Sequence, residues 1–276
     1  MLKKLGSKFT LYGLLGFFLI ITCFPFIWMV STSLKPFQET ITIPPSIIPP
    51  EFHWQSYIEV LTEGNLLIYF YNSVIVSVAT TFIAISIAIL AGLGFSRFEF
   101  PLKNKIMIMF LVSQLFPLVL LATPYYTIMR NLGLLDTRLS LIITYISFVL
   151  PFSVWMMTNY FNTIPSEMEE AAMVDGCSKI GALFRVTLPI SGPGIVAVAI
   201  NAYILAWNEF TFAMTFIDSV NLRTLPVGLR AFMGEHRVMW NNLMAGAVIA
   251  SVPVIILFIF LQKYLIAGLT AGGVKG

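Results

Sequence analysis

The sequence predicts an all-α membrane protein with six transmembrane helices, and three observations carry that prediction. Of the 276 residues, 58% are hydrophobic and only 11% are charged, whereas soluble domains carry roughly 25% charged residues. Six apolar runs each reach the ~20 residues that a helix needs to cross a ~30 Å hydrocarbon core. Finally, a charged, helix-forming segment, Ile164 to Pro189, reads IPSEMEEAAMVDGCSKIGALFRVTLP and separates two of those runs. Irregular backbone exposed to lipid leaves its polar groups unsatisfied, so helices are the form these runs must take.

The first run, 11–30, follows Lys3, Lys4 and Lys8. A basic start of this kind also opens secretory signals, but their apolar regions are about 7–15 residues long. No clean small-x-small cleavage site follows, so this is read as an uncleaved first span. The remaining spans are expected at 69–95, 106–129, 139–160, 192–217 and 243–266, within a single membrane domain over 1–276. Pro117 and Pro124 in the third span, Pro151 in the fourth and Pro253 in the sixth each remove a backbone hydrogen bond and favour kinks. Kinks suit helices that open a path and are equally ordinary in packed membrane helices. Between the first two spans lies a proline-rich strap with Pro36, Pro44, Pro45, Pro49 and Pro50, followed by a short helix through Trp54, Tyr57, Ile58 and Leu61.

Orientation follows from the sixteen basic residues. Lys3, Lys4, Lys8, Arg97, Lys103, Lys105, Lys179, Arg185, Lys263 and Lys275 fall on one side, ten in all, against Lys35, Arg130, Arg138, Arg223, Arg230 and Arg237 on the other. The richer side is expected in the cytoplasm, with both termini and the polar loop 161–190. A net charge of +3 from dispersed residues points to membrane lipid as the surrounding surface and to no nucleic acid. Cys23 and Cys177 make no metal-spaced pair, and His53 and His236 stand alone in loops, so no metal site is expected.

In the polar loop, Thr163 or Ser166 can cap a helix, and Ser166 with Glu169 has capping-box spacing. Glu167, Glu169 and Glu170 sit favourably at the positive end of the helix dipole. Gly176 can end that helix in a left-handed conformation. A second short helix through Ile180, Leu183 and Phe184 is then expected to stop at Pro189. The alanines permit close approach to a partner, and the acids offer charge-assisted contacts to partner Arg or Lys. The alternative is a helix resting on lipid, but such helices favour Lys and Arg over clustered acids.

The spacing Glu170-Ala171-Ala172, three residues, Gly176, nine residues, Val186-Thr187-Leu188-Pro189 resembles the cytoplasmic EAA loop of permease subunits of binding-protein-dependent ABC importers. Valine at 186 replaces the usual isoleucine, a conservative departure. The segments Thr22-Cys23-Phe24-Pro25-Phe26, Ser31-Thr32-Ser33-Leu34-Lys35, Trp207-Asn208-Glu209-Phe210, Thr224-Leu225-Pro226-Val227-Gly228-Leu229 and the tail Gly268 to Gly276 resemble the carbohydrate branch, specifically its maltose-permease G type. The resemblance implies a type I ABC importer transmembrane domain in a bacterial inner membrane. It implies an assembly with a second homologous permease, two cytoplasmic ATPases and an extracytoplasmic sugar-binding protein. ATP and Mg are then used by the ATPases, with no cofactor bound and no catalytic residue in this chain, which has no Gly-x4-Gly-Lys-Ser/Thr loop.

By the same resemblance Glu169, Glu170, Ala171, Ala172, Gly176, Leu188 and Pro189 form the coupling helix region that docks on one ATPase. Gly272, Gly273 and Lys275, in the tail 267–276, would reach between the ATPases, where a frayed end is the alternative. Arg223, Arg230 and Arg237, in the outer loop with Glu235, are candidates for contact with the binding protein or are simply solvated. Within the fifth span, Asn201, Asn208 and Glu209 are candidates for the translocation path. An acid at that depth is a functional hypothesis by default, with a helix–helix hydrogen bond as the plain alternative. Trp207 is open between stacking on a sugar ring and anchoring at the interface. Two other functions stay open: an ABC permease for a non-sugar solute, and a self-sufficient secondary transporter or channel.

Overall fold

The computed structural model describes residues 2–234 and 237–271, with side chains described from residue 11 to residue 264. In chain order its helices are α1 (Leu2–Ser33), α2 (Phe37–Thr40), α3 (Gln55–Thr62), α4 (Leu66–Arg97), α5 (Lys103–Ser113), α6 (Leu118–Asn131), α7 (Arg138–Phe161), α8 (Glu167–Val174), α9 (Lys179–Ala182), α10 (Leu188–Ile190), α11 (Gly192–Trp207), α12 (Thr211–Phe216), α13 (Leu225–Leu229) and α14 (Trp240–Ala271). A π-helical turn, Leu183–Thr187, joins α9 to α10. Four helices, α1, α4, α7 and α14, are long and apolar enough to cross a membrane, and two bent pairs bring the number to six if each is one span.

The third and fifth expected spans are both broken. The run 106–129 is not one kinked helix but two, α5 and α6, turning by 100°. Pro117 explains the break: it has no N–H to donate, and its ring disfavours helical backbone at Phe116. Accordingly α5 ends at Ser113 and Pro117 stands in extended conformation just ahead of α6. Pro124, Pro151 and Pro253 remain inside their helices. The fifth span is also divided, because α11 ends at Trp207 and helix resumes only at Thr211. At its other end Pro189 does not stop the preceding helix. It lies inside the continuous helical run 179–190, in α10, and the 71° turn falls after Ile190 instead.

Two compact units form: the chain up to Leu67 with Gly228–Val252, and Ile68–Val227 with the chain from Pro253 onward. In the first, α1 is apolar around its whole circumference and exposed from Leu11 to Ile27, as a lipid-facing helix should be. Its C-terminal end is pinned by the strap. Lys35 is 2% exposed; its Nζ donates to the Ser46 carbonyl and lies 4.9 Å from the Trp28 ring centre. Ser31 donates to the Ile47 carbonyl, and the Leu34 carbonyl accepts from the His53 N–H at 2.8 Å. The opening turn of α14 is tied to α3 by Asn241 to Ser56 and Asn242 to Glu59, both 3.0 Å.

In the second unit α4, α7 and α11 share a core through Ala84, Ala88, Met157, Phe161, Val198 and Ala202. The small residues let backbones approach closely: a Cβ on Gly92 would lie 2.8 Å from Met157 Cβ. A second cluster gathers Tyr145, Met129, Phe212 and Phe216. Asn72, fully buried, fastens the loop at 221–223 to the start of α4. Its amide donates at 2.9 Å to the carbonyls of Asn221 and Arg223, while its Oδ1 accepts from Arg138 Nε at 2.9 Å.

Candidate functional site

The polar loop folds as a helix–turn–helix. Helix α8 ends in a Schellman arrangement: the Cys177 N–H reaches the Ala172 carbonyl at 3.0 Å and the Gly176 N–H reaches Met173 at 3.1 Å. Gly176 has φ +88°, the left-handed conformation its position requires. Ser178 then caps α9, accepting from the Gly181 N–H at 3.0 Å. The expected capping box is absent. Ser166 makes no side-chain cap bond, because Glu169 turns the other way, into an ion pair.

That ion pair is the anchor of the loop. Arg97 Nε lies 2.9 Å from Glu169 Oε1, with both side chains about seven-eighths buried. The rest of the Arg97 fork caps the end of α7, donating to the carbonyls of Phe161 (3.1 Å) and Ile164 (3.0 Å). Thr187 donates to the same Glu169 oxygen at 2.8 Å. One guanidinium therefore joins α4, α7 and α8, and the carboxylate brings in the chain leading to α11. Outward from this anchor the loop presents apolar side chains: Val174 (87% exposed), Ile180 (69%) and Phe184 (57%), with Met168 and Met173 partly exposed. An apolar surface supported from behind by a rigid polar network is suited to docking a partner.

A second feature lies at the two helix breaks. A cavity of about 490 Å³ is bordered by Gln114 and Phe116 at the α5–α6 break, by Asn208, Glu209 and Phe210 at the α11–α12 break, and by Tyr125, Ser147 and Phe148 between them. Gln114 Nε2 donates to the Phe148 carbonyl at 3.1 Å, and Tyr125 and Ser147 share a 2.7 Å hydrogen bond. Glu209 is 7% exposed and well satisfied. It accepts from the Tyr145 hydroxyl at 2.6 Å and from the N–H groups of Phe212 (2.8 Å) and Ala213 (3.1 Å), so it closes the first turn of α12.

Residues 84–270 match the family described as binding-protein-dependent transport system inner membrane component. The chain belongs to this family. The permease is 37% identical over 276 residues to the inner membrane ABC transporter permease protein YcjP of Escherichia coli (strain K12), covering 99% of each chain. It is 36% identical over 260 residues to the trehalose/maltose transport system permease protein MalG of Thermococcus litoralis, covering 93% of each. Its fold resembles a chain in the crystal structure of a bacterial ABC transporter involved in the import of the acidic polysaccharide alginate. The TM-score is 0.77 with 22% identity, over 94% of this chain and 96% of that one. The fold is that of a type I ABC importer permease.

Within the permease, the residues singled out by sequence divide by environment. Glu170 and Ala171 are exposed on α8, Ala172 is half-buried and Gly176 ends the helix. Glu169 faces inward to Arg97 and Thr187. Leu188 is half-buried and Pro189 exposed in α10. Asn208 and Glu209 line the cavity; Asn201, half-buried two turns earlier, does not. Trp207 is buried, stacked on Tyr203 at 5.6 Å and met edge-on by Phe70, so neither a stacked sugar nor an interfacial anchor describes it. Arg223 is half-buried with its carbonyl held by Asn72, Arg230 is exposed, and Arg237 lies 4.0 Å over the Phe37 ring. Gly272, Gly273 and Lys275, like Glu235, lie outside the described residues. Arg97, Asn72, Gln114 and Tyr145 were not among the site residues expected from sequence. Arg97 and Gln114 carried a signal, a cation beside a helix end and an amide at a proline break.

Proposed function

We propose that this permease forms half of the translocation path of an ATP-driven carbohydrate importer and receives the work of ATP hydrolysis through α8. The observation that carries the proposal is the exposed apolar face around Val174, Ile180 and Phe184, held from behind by Arg97 and Glu169. A helix so braced cannot shift without moving the ends of α4 and α7, so a push on it is passed to the spans. The carbohydrate class is supported by full-length similarity to relatives that include a trehalose/maltose permease. In this reading the partners are a second permease, two ATPases that bind ATP and Mg, and an extracytoplasmic sugar-binding protein. The richer basic side, with both termini and α8, is cytoplasmic.

The test is reconstitution in proteoliposomes. Uptake is expected only with ATP inside, the partner ATPase present, and a sugar-loaded binding protein outside. Uptake driven by an ion gradient with this chain alone would instead make it a secondary transporter. Tight binding of an amino acid or inorganic phosphate by the co-purifying binding protein would overturn the sugar class.

A further inference from the structure

The break at Gln114–Pro117 needs a physical reason to exist within a span. Non-helical backbone at membrane depth is tolerated only where it is buried in protein or lines a wet cavity. Interrupted helices of this kind mark substrate sites in transporters. Here two breaks, at 114–117 and 208–210, border the same cavity. Gln114, Ser147 and Asn208 are all exposed there. Facing lipid, each uncharged polar group would be left without hydrogen-bond partners at a heavy cost; facing water or a hydroxylated ligand, it costs little. Ser147 sits on α7 fourteen residues before Phe161, about 20 Å along the helix, well inside the bilayer.

The lining also states what it would accept. Gln114 and Asn208 each use one amide N–H internally, on the carbonyls of Phe148 and Ile204. A second N–H and a carbonyl oxygen remain on each. Ser147 donates to the Thr144 carbonyl at 2.6 Å, which leaves Tyr125 as the donor in their 2.7 Å bond, so both hydroxyl protons are used internally and the pair offers acceptor lone pairs. Tyr125, Phe148 and Phe116 supply flat apolar faces. Mixed donors and acceptors beside aromatic faces match a sugar ring, polar at its rim and apolar on its faces. The only titratable acid in the lining is Glu209, and none of the lining side chains is cationic. A carboxylated or sulfonated sugar would find no counter-charge here and would lie against a carboxyl group. The volume of about 490 Å³ falls within the roughly 300–1,000 Å³ of small-ligand sites.

We infer that this cavity is a membrane-embedded subsite for neutral sugars, with Gln114 and Asn208 as its specificity-determining amides, and that it discriminates against acidic ones. The inference rests on the carbohydrate reading above. It is tested by saturation-transfer NMR on the assembled transporter in nanodiscs without the binding protein. The probes are maltose, trehalose and cellobiose on one side and digalacturonate on the other, each at millimolar concentration. Signal is expected for at least one neutral disaccharide and none for digalacturonate. Asn208→Leu is expected to weaken the neutral signal about tenfold, the loss of one or two hydrogen bonds, and Asn208→Gln to recover part of it. Equal signal from digalacturonate in the unmodified complex would overturn the inference without any variant. So would neutral signal indifferent to Asn208→Leu, or no signal from any neutral probe. If the binding protein still binds one of these sugars tightly, that failure removes the subsite alone. If it binds no carbohydrate, the class itself falls.

Discussion

Arg97 is the residue on which most local structure depends. Its guanidinium donates to the Phe161 and Ile164 carbonyls at the end of α7 and to the Glu169 carboxylate on α8. Arg97→Ala leaves a largely buried carboxylate without its counter-charge, held by the Thr187 hydroxyl, and takes the guanidinium from the Phe161 and Ile164 carbonyls; it is expected to cost about 3 kcal/mol, the lower end for breaking a buried ion pair. Arg97→Lys keeps the charge but loses the fork, so melting of the purified complex should place it between alanine and the parent. Just before α7, Asp136 accepts from the Ser219 hydroxyl, the Ser219 N–H (2.9 Å) and the Asp218 N–H (3.1 Å), which hold its carboxyl below the ordinary range. A depressed folded pKa contributes stability above the unfolded value of about 4 and loses it as pH falls through the folded one. Between about pH 6 and pH 3, Asp136→Asn should therefore lose less thermal stability than the parent. A parallel fall in both would contradict this. Neither network could be read from sequence, because Arg97 and Glu169 are seventy-two positions apart and meet only through packing. The sequence offered Glu169 as part of an outward docking surface; the competing claim of a buried guanidinium turned it inward.

At the scale of elements, the long spans α4, α7 and α14 were legible because an apolar run of this length has no other stable form. The Gly176 turn was legible too, since one glycine after a short amphipathic helix has a specific geometric use. Substituting it separates conformation from crowding. No atom lies within 4 Å of a Cβ built there, so Gly176→Ala should cost only the left-handed backbone penalty of about 1–2 kcal/mol. Gly92 is the opposite case, crowded by Met157 at 2.8 Å. Gly92→Leu must force α4 from α7, and loss of folded complex on size exclusion is the expected result. The two broken spans were not legible, because hydropathy counts residues and is blind to direction. Pro117 breaks its span whereas Pro124, Pro151 and Pro253 stay inside their helices.

For the whole molecule, the α8 surface braced by Arg97 and the cavity at two helix breaks belong to one compact unit. The family relationship was legible from the EAA spacing, since a surface that must fit a partner constrains residue type and interval together. Of the apolar side chains that crown that surface, sequence placed Ile180 and Phe184 only in a second short helix, because Val174, Ile180 and Phe184 look like core residues until their exposure is seen. The central claim is that this crown is where an ATPase docks, and Val174 tests it most directly. At 87% exposure, Val174→Asp should leave the fold within about 0.5 kcal/mol of the parent. Co-purification of the ATPase subunits with the membrane subunits is the measurement. Its loss, with the membrane subunits still folded and paired, is the predicted result; ATPase recovered at the parent's stoichiometry with undiminished ATP-driven uptake would contradict the account.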